Sequence, residues 1–404
     1  MKNWTPGIRI GYTDHLNQSF PLLVVAMAET DDTTSGQQSS SRRLWRRLVW
    51  GCVVIVVVAV GIGIYRHPFR GHYSWRSQVA DRGGSVFVGH SENRWAKQLF
   101  GERFVKTWQD AHHVVLKNAR EEDYEHLLDC PLCNHFNALI VVDSALTEKE
   151  LNSIAEMNQL QHLTLDGPSD VSGVQKIHGL TSLETIEFHE CQFRASEAKK
   201  LGEIPKLKTI AFRDTIFEVG AIEKLHVLND LESLGIDDSH INNNELQELS
   251  TLKHLRGFSS RYTNLSDEGL VFLEGKKNLS FLSLVNTKIT NRGLRVIPSL
   301  INLRDLTLSN NLIDDEWLPY LECLTGLNSL DLSDTNVTDA GLTSIGKVMT
   351  LEELILDDTH ITDAGLHHLY SLYYLRRLKL HGTSVTPSGV NELQKKLPRC
   401  DIRY

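Results

Sequence analysis

Leucine-spaced segments dominate the second half of the chain, and their spacing is regular. LETIEF, LKTIAF, LESLGI, LRGFSS, LSFLSL, LRDLTL, LNSLDL, LEELIL and LRRLKL begin at Leu183, Leu207, Leu231, Leu255, Leu279, Leu303, Leu327, Leu351 and Leu375, each 24 residues after the one before. LQHLTL at Leu160 precedes Leu183 by 23, and FNALIV at Phe136 precedes Leu160 by 24, which makes eleven repeats. A fixed period of this length marks a stack of identical supersecondary units. Each unit reads L-x-x-L-x-L-x-x-T-x-I-T-D-x-G-L-x-x-L, most cleanly over 327–345 and 351–369. The L-x-L core alternates with period two and predicts a short strand with its leucines on one face. Strands stacked about 4.8 Å apart make a parallel sheet along an inner arc of roughly 50 Å.

The other positions of the unit have structural readings. Position nine is small and polar: Ser144, Cys191, Thr215, Ser239, Thr263, Thr287, Asn311, Thr335, Thr359 and Thr383, with Pro168 as the exception. Such side chains can bridge neighbouring turns whose backbone groups would otherwise lack partners. Thr290, Thr338, Thr362, Thr386 and Ser266 are placed to cap an outer helix. Asp267, Asp339 and Asp363 then fall in its first turn, where negative charge suits the helix dipole. Gly269, Gly293, Gly341, Gly365 and Gly389 let consecutive helices pack closely. LPRCDIRY supplies one last half repeat, with Ile402 lying 24 residues after Leu378. The Thr-Asp pairs are therefore structural rather than catalytic.

Upstream of Phe136 the pattern changes. Residues 28–43 are polar and of low complexity, which predicts disorder. Met27 opens that stretch and is an alternative start of translation to Met1. Leu48 to Ile64 is a run of 17 uncharged residues, about 25 Å as a helix, with Trp45, Trp50 and Tyr65 near its ends. No small-x-small cleavage site follows at Tyr65–Phe69, so a retained membrane span is expected rather than a cleaved signal. Arg42, Arg43, Arg46 and Arg47 are denser than the arginines after the span, which places the tail in the cytoplasm and the repeats across the membrane. Over 76–118 a strand at Val86–Val88, a helix from Ser91 and a strand at Val114–Leu116 are expected, followed by a short helix at 121–128. This region would cover the open end of the stack. The expected organisation is a cytoplasmic tail over 1–47, a membrane helix over 48–65, a linker and cap over 66–135, and repeats over 136–404.

The I-T-D-x-G-L units at 289–294, 337–342 and 361–366 resemble bacterial leucine-rich-repeat proteins, especially the membrane-linked sets of planctomycete-type bacteria. GGSVFV at 83–88 and WAKQLFGERF at 95–104 resemble the N-terminal flank of those proteins. The unit is also similar to repeats of F-box substrate receptors, but no F-box-like helical module precedes it. The resemblance implies a horseshoe solenoid of α/β class, with an inner parallel sheet, outer helices and a protein-binding role, and it brings no catalytic residues. Protein binding through the concave face is the leading expectation. Its alternatives are a structural cell-envelope role, a ubiquitin-ligase-type adaptor, and an enzyme with an unannounced site.

The concave face would be lined by two columns. Position seven reads Val142, Asp166, His189, Arg213, Asp237, Arg261, Val285, Ser309, Ser333, Asp357 and His381. Position eight reads Asp143, Gly167, Glu190, Asp214, Asp238, Tyr262, Asn286, Asn310, Asp334, Asp358 and Gly382. The carboxylates there would favour a basic protein or peptide, or form a solvated rim that keeps the protein soluble. Arg261, Tyr262 and Phe281 interrupt the acidic run and are candidate contact anchors, with Asp214, Asp237, Asp238, Asp334, Asp357 and Asp358 around them. Net charge is −9, which argues against general nucleic-acid binding. Six cysteines are too few for a disulfide scaffold. His126, Cys130, Cys133 and His135 have the spacing of a weak zinc candidate, and the cysteines could instead be paired or free. His189-Glu190 lacks the second histidine of a zinc-protease helix, and neither a G-x-S-x-G elbow nor a phosphate-binding glycine loop is found. No catalytic residue and no cofactor are therefore expected.

Overall fold

The structure, a computed structural model, describes residues 113–117, 124–125, 137–142, 146, 148–167 and 176–404. All of them belong to one unit, Gly71–Tyr404. The tail, the apolar run at 48–64, the 83–104 flank and the His126, Cys130, Cys133, His135 group lie outside the described residues, as do Asp143, Ser144 and Pro168.

Thirteen described strands form one parallel sheet in sequence order, while β5 (Gln192–Phe193) and β7 (Ile216–Phe217) form a second small sheet. The main strands are β1 (His113–Lys117), β2 (Ala138–Val142), β3 (His162–Asp166), β4 (Thr185–His189), β6 (Thr209–Arg213), β8 (Ser233–Asp237) and β9 (Gly257–Ser259). They continue through β10 (Phe281–Ser283), β11 (Asp305–Thr307), β12 (Ser329–Asp331), β13 (Glu353–Ile355), β14 (Arg377–Lys379) and β15 (Asp401–Arg403). Register follows the repeat: Leu282 pairs Leu306, which pairs Leu330, then Leu354, Leu378 and Ile402. The half repeat therefore seats as its spacing predicts. At the other end β1 pairs β2, with Leu116 opposite Val141. Stacking thus begins inside the segment assigned to linker and cap, because Val114 and Leu116 already supply the alternating buried positions of a repeat strand.

The core is a continuous spine of inward leucines, with Leu234, Leu282, Leu330, Leu354 and Leu378 fully buried. Phenylalanines replace them locally. Phe188 stacks on Phe212 at 5.4 Å, and Phe193 meets Phe212 edge-on at 4.7 Å. Phe193 belongs to β5 (Gln192–Phe193), which pairs β7 (Ile216–Phe217) on the outer side of those two repeats.

The expected outer helices are only partly α-helical. α1 (Glu148–Ala155), α2 (Ala195–Leu201), α3 (Asp339–Ile345) and α4 (Pro387–Lys396) are, whereas Glu223–Val227, Glu245–Thr251, Gly269–Leu273, Gly293–Ser299, Asp315–Cys323 and Leu366–Ser371 are tighter 3₁₀ turns. Pro298 and Pro319 sit inside two of these turns. A proline removes an amide donor and disfavours α geometry in the residue before it.

The Thr-Asp pairs link one repeat to the next. The Asp315 carboxylate accepts the Thr338 amide at 2.9 Å and the Thr338 hydroxyl at 2.6 Å, although the two residues are 23 apart in sequence. Asp267 clasps Thr290, Asp339 clasps Thr362 and Asp363 clasps Thr386 in the same way. Thr338 still caps its own helix by accepting the Ala340 amide. The aspartates thus serve the next repeat as well as the helix dipole. The recurrent glycines have the same cause, since a Cβ at Gly293, Gly341, Gly365 or Gly389 would collide with the clasping aspartate of the preceding repeat.

The position-nine ladder is mixed. Asn311 reaches back to accept the Thr287 amide at 3.0 Å and hydroxyl at 2.7 Å, and Ser239 accepts the Thr215 amide at 2.9 Å. Thr335, Thr359 and Thr383 instead donate within their own turn, to Leu332, Leu356 and Leu380.

Candidate functional site

On the concave face the strand residues between the leucines project away from the core. Position eight has a backbone character that its composition alone does not announce. Glu190, Asp214, Asp238, Tyr262, Asn286, Asn310, Asp334 and Asp358 all have φ between 48° and 55°. In this left-handed turn each amide reaches the position-seven carbonyl of the next repeat, from 2.7 Å for Asp358 to His381 up to 3.2 Å for Asp214 to Asp237. Glycine, asparagine and aspartate tolerate that conformation better than other residues. Most of the acidic column is therefore explained by backbone geometry. Tyr262 is not, since a bulky aromatic in this region stores strain. It is half exposed, and the Arg261 guanidinium lies 5.9 Å from its ring centroid.

The candidate carboxylates separate into two groups. Asp214, Asp238, Asp334 and Asp358 are exposed at the corner. Asp237 and Asp357 are engaged by their neighbours. Asp237 accepts the Ser259 hydroxyl at 2.7 Å and the Arg261 amide at 2.9 Å, and Asp357 accepts the His381 amide at 2.8 Å. Arg213 and Arg261, both exposed, flank Asp237 in the same column.

Phe281 is not part of the Arg261–Tyr262 group. It pairs Gly257, five residues before Tyr262, so the two occupy different levels of the face. The floor between them is small and recessed, with Gly257, Ser283 and Val285 buried. Asp305 lies next to Phe281 across β10 and β11, and burial holds its carboxyl above the ordinary value.

Nearer the N-terminal end, the His189 imidazole sits between Asp166 at 3.8 Å and Glu187 at 3.5 Å. The hydrogen bond from His189 and its nearby charge hold the Glu187 carboxyl below the usual range, against burial. The two carboxylates approach opposite ring nitrogens, so one ion cannot bind both and a nitrogen together. No group that could hold a metal ion occurs among the described residues. Beneath His189, burial and the Asp166 charge push the Cys191 thiol up to about 12, so it is an inert thiol at neutral pH.

Two features escaped the sequence reading. The Lys276 side chain is buried, with its ammonium donating to the carbonyls of Leu249 at 3.0 Å, Ser250 at 3.3 Å and Leu252 at 2.8 Å. It caps the end of the Glu245–Thr251 turn, and a lone lysine in a repeat gives no signal of that. The second feature is a cleft of about 490 Å³ on the outer side of the repeats, lined by Phe217, Val219, His240, Asn242, Glu245 and Glu268 among others. Among the described residues, no helix is long and apolar enough to cross a membrane.

A leucine-rich-repeat family model matches residues 325–346. No curated protein matches the chain significantly. Among solved structures, the chain is similar to an internalin of Listeria monocytogenes, with 16% identity and a TM-score of 0.51, over 72% of this chain and 86% of that one. A leucine-rich-repeat protein of Leptospira interrogans shares 18% identity over 72% of this chain and 90% of that one, at a TM-score of 0.37 that adds no weight. The 24-residue register, the matched repeat and the likeness to the internalin give the chain a leucine-rich-repeat fold.

Proposed function

We propose that the chain is a non-enzymatic binding scaffold that holds a protein or peptide on its concave face. One observation carries this reading. Tyr262 occupies a left-handed corner where other repeats use glycine, asparagine or an acidic residue, yet it stays half exposed beside Arg261. The strain of a bulky residue there costs about 1–3 kcal/mol. Its ring meets the Arg261 guanidinium at the surface, and exposed tyrosine and arginine are common anchors of interfaces. The corner carboxylates Asp214, Asp238, Asp334 and Asp358 favour a basic partner at the rim.

Tyr262→Asn tests the idea in two readouts. The variant is expected to unfold at an equal or higher temperature, by up to about 1–2 kcal/mol of added stability. A photocrosslinker placed at 262 in the native host is expected to trap one discrete partner, while the same group at the exposed outer position 271 does not. Identical products from both positions, or none from 262, would sink the reading.

The same proposal tethers the scaffold to a membrane through residues 48–64, with the repeats on the non-cytoplasmic side. Its support is the uncharged run and the arginine cluster before it. Deleting 48–64 is expected to move the protein from the membrane pellet to the soluble fraction after alkaline extraction. Unchanged partition would remove the tether.

A further inference from the structure

We propose that an exposed ridge on the last repeats, Met349, Tyr373 and Tyr374 with Lys395, Lys396 and Arg399 beside it, seats on the surface of an anionic lipid bilayer. The ridge belongs to the short turn that leads from each outer element into the next strand. In that turn the Met349 amide donates to the Lys347 carbonyl and the Tyr373 amide to the Ser371 carbonyl, both at 3.0 Å, so the two residues hold the same place in neighbouring repeats. Strand spacing sets their backbones about 5 Å apart. Several earlier repeats fill the turn with polar pairs, Asn229-Asp230, Lys253-His254 and Lys277-Asn278, and Thr325-Gly326 separates the ridge from Ile301. Met349 is 61% exposed, Tyr373 77% and Tyr374 70%. Single exposed apolar residues need no explanation, but three on adjoining turns form a patch. At these exposures the side chains stand proud of the surface, which suits a plane rather than a peptide lying in a groove.

The charge beside the ridge has the sign that such a plane needs. The chain carries −9 overall, yet residues 371–404 hold seven lysines and arginines against two carboxylates. Some of these cations are engaged: Arg376 pairs Glu352 at 3.3 Å, Arg377 pairs Glu353 at 2.9 Å and Arg403 pairs Asp401 at 3.0 Å. Lys395, Lys396 and Arg399 are exposed and have no ion-pair partner among the described residues. The two lysines lie in the last turn of α4, where they complement its dipole. Arg399 lies past the helix. The Cys400 amide reaches the Leu397 carbonyl at 3.1 Å as the Leu375 amide reaches that of Leu372 at 3.0 Å, so Pro398-Arg399 takes the place of Tyr373-Tyr374 in the last repeat. The Gln394 side chain donates to the Leu397 carbonyl at 2.9 Å and the Cys400 carbonyl at 3.0 Å, which fixes that turn. Lys396 leans back toward the preceding repeat, its ammonium 5.7 Å from the Tyr370 ring centroid. Tyrosine prefers the boundary between hydrocarbon and water, and lysine and arginine beside it are drawn to anionic headgroups. An acidic protein would match the charge but would also need pockets for the protruding apolar side chains.

The test uses the full-length chain in vesicles made of phosphatidylglycerol or of phosphatidylcholine, each doped with a phospholipid that carries a photoactivatable diazirine near its headgroup. Both leaflets are alike, so the sidedness of the chain does not decide the result. Mass spectrometry is expected to find label on the ridge in phosphatidylglycerol and about fivefold less in phosphatidylcholine. The exposed Val271, on the outer side, serves as the reference and should stay unlabelled in both. Lys395→Gln, Lys396→Gln and Arg399→Gln together should lower the label about fivefold or more. Tyr373→Ser with Tyr374→Ser leaves the charge alone and should lower the label on Met349. No label on the ridge in phosphatidylglycerol, equal label in the two lipids or at Val271, or unchanged label in either variant would each overturn the proposal. Polyglutamate that binds the chain and shields the ridge from phosphatidylglycerol would assign the surface to an acidic protein and overturn it too. The concave site is read by crosslinking at 262 and the tether by alkaline extraction, so each can fail without the others.

Discussion

Lys276 shows how a single side chain can hold two repeats together. Its ammonium is buried without a carboxylate partner and closes three carbonyls of the preceding turn, with Phe272 below it at 5.7 Å. Burial lowers its pKa from the ordinary 10.5 to about 8. Between about pH 8 and 10.5 the unfolded chain therefore binds more protons than the folded one, and stability rises with pH through this window. Lys276→Met keeps the apolar stem and removes the donors. It is expected to cost about 1–3 kcal/mol at pH 7, because the carbonyls lose their partner. It should also flatten the rise in stability between pH 8 and 10.5. Urea denaturation at several pH values checks both, and an unchanged pH profile would show that the titrating group lies elsewhere.

At the scale of the element, the outer turns are set by a clasp of three residues drawn from two repeats. Asp339 accepts the amide and hydroxyl of Thr362, and Gly365 leaves the room its carboxylate occupies. Gly365→Ala is expected to destabilise by about 1–3 kcal/mol, through overpacking against Asp339. Asp339→Ala removes the obstacle together with the clasp, so the double variant should be more stable than the sum of the two losses implies. Strict additivity in the double-mutant cycle would disprove the steric link. The clasp also has a pH signature. The Thr386 hydroxyl and amide hold the Asp363 carboxyl below its ordinary 3.8. This stabilisation is complete above that value and is lost as pH falls through the lower folded one. Asp363→Asn should therefore be less sensitive to acid than the parent, as read by the thermal midpoint between pH 5 and 2.

Across the whole molecule each repeat touches only its neighbours, so opening is expected to start at exposed ends of the stack. The described cysteines report on this. Cys323 is exposed, Cys400 is buried in the last half repeat, and Cys191 is buried beneath β4, with three described strands before it. Burial pushes the Cys400 thiol to about 11 and the Cys191 thiol to about 12. Under native conditions alkylation should proceed in the order Cys323, Cys400, Cys191, as followed by mass spectrometry of the separated peptides. Cys191 reacting before Cys400 would mean that opening does not run inward from the C-terminal end.

What the sequence determined by itself is the stack. A 24-residue period with alternating leucines sets strand register, core and the final half repeat, because those features depend on spacing within one unit copied many times. It also picked out Tyr262 as an odd residue in its column, though for its chemistry rather than its backbone. Tertiary structure decided what lies between units. It showed that the acidic corner follows from a left-handed turn, that Asp237 and Asp357 are occupied by the next repeat, and that Phe281 and Tyr262 face opposite ends of a recessed floor. It also placed a cleft of about 490 Å³ on the outer side of the repeats. These relations join residues of neighbouring repeats, such as Asp237 with Ser259 and Asp357 with His381. A repeat pattern shows that such positions face each other, whereas which hydrogen bonds form between them depends on backbone angles and side-chain reach that only the folded stack fixes.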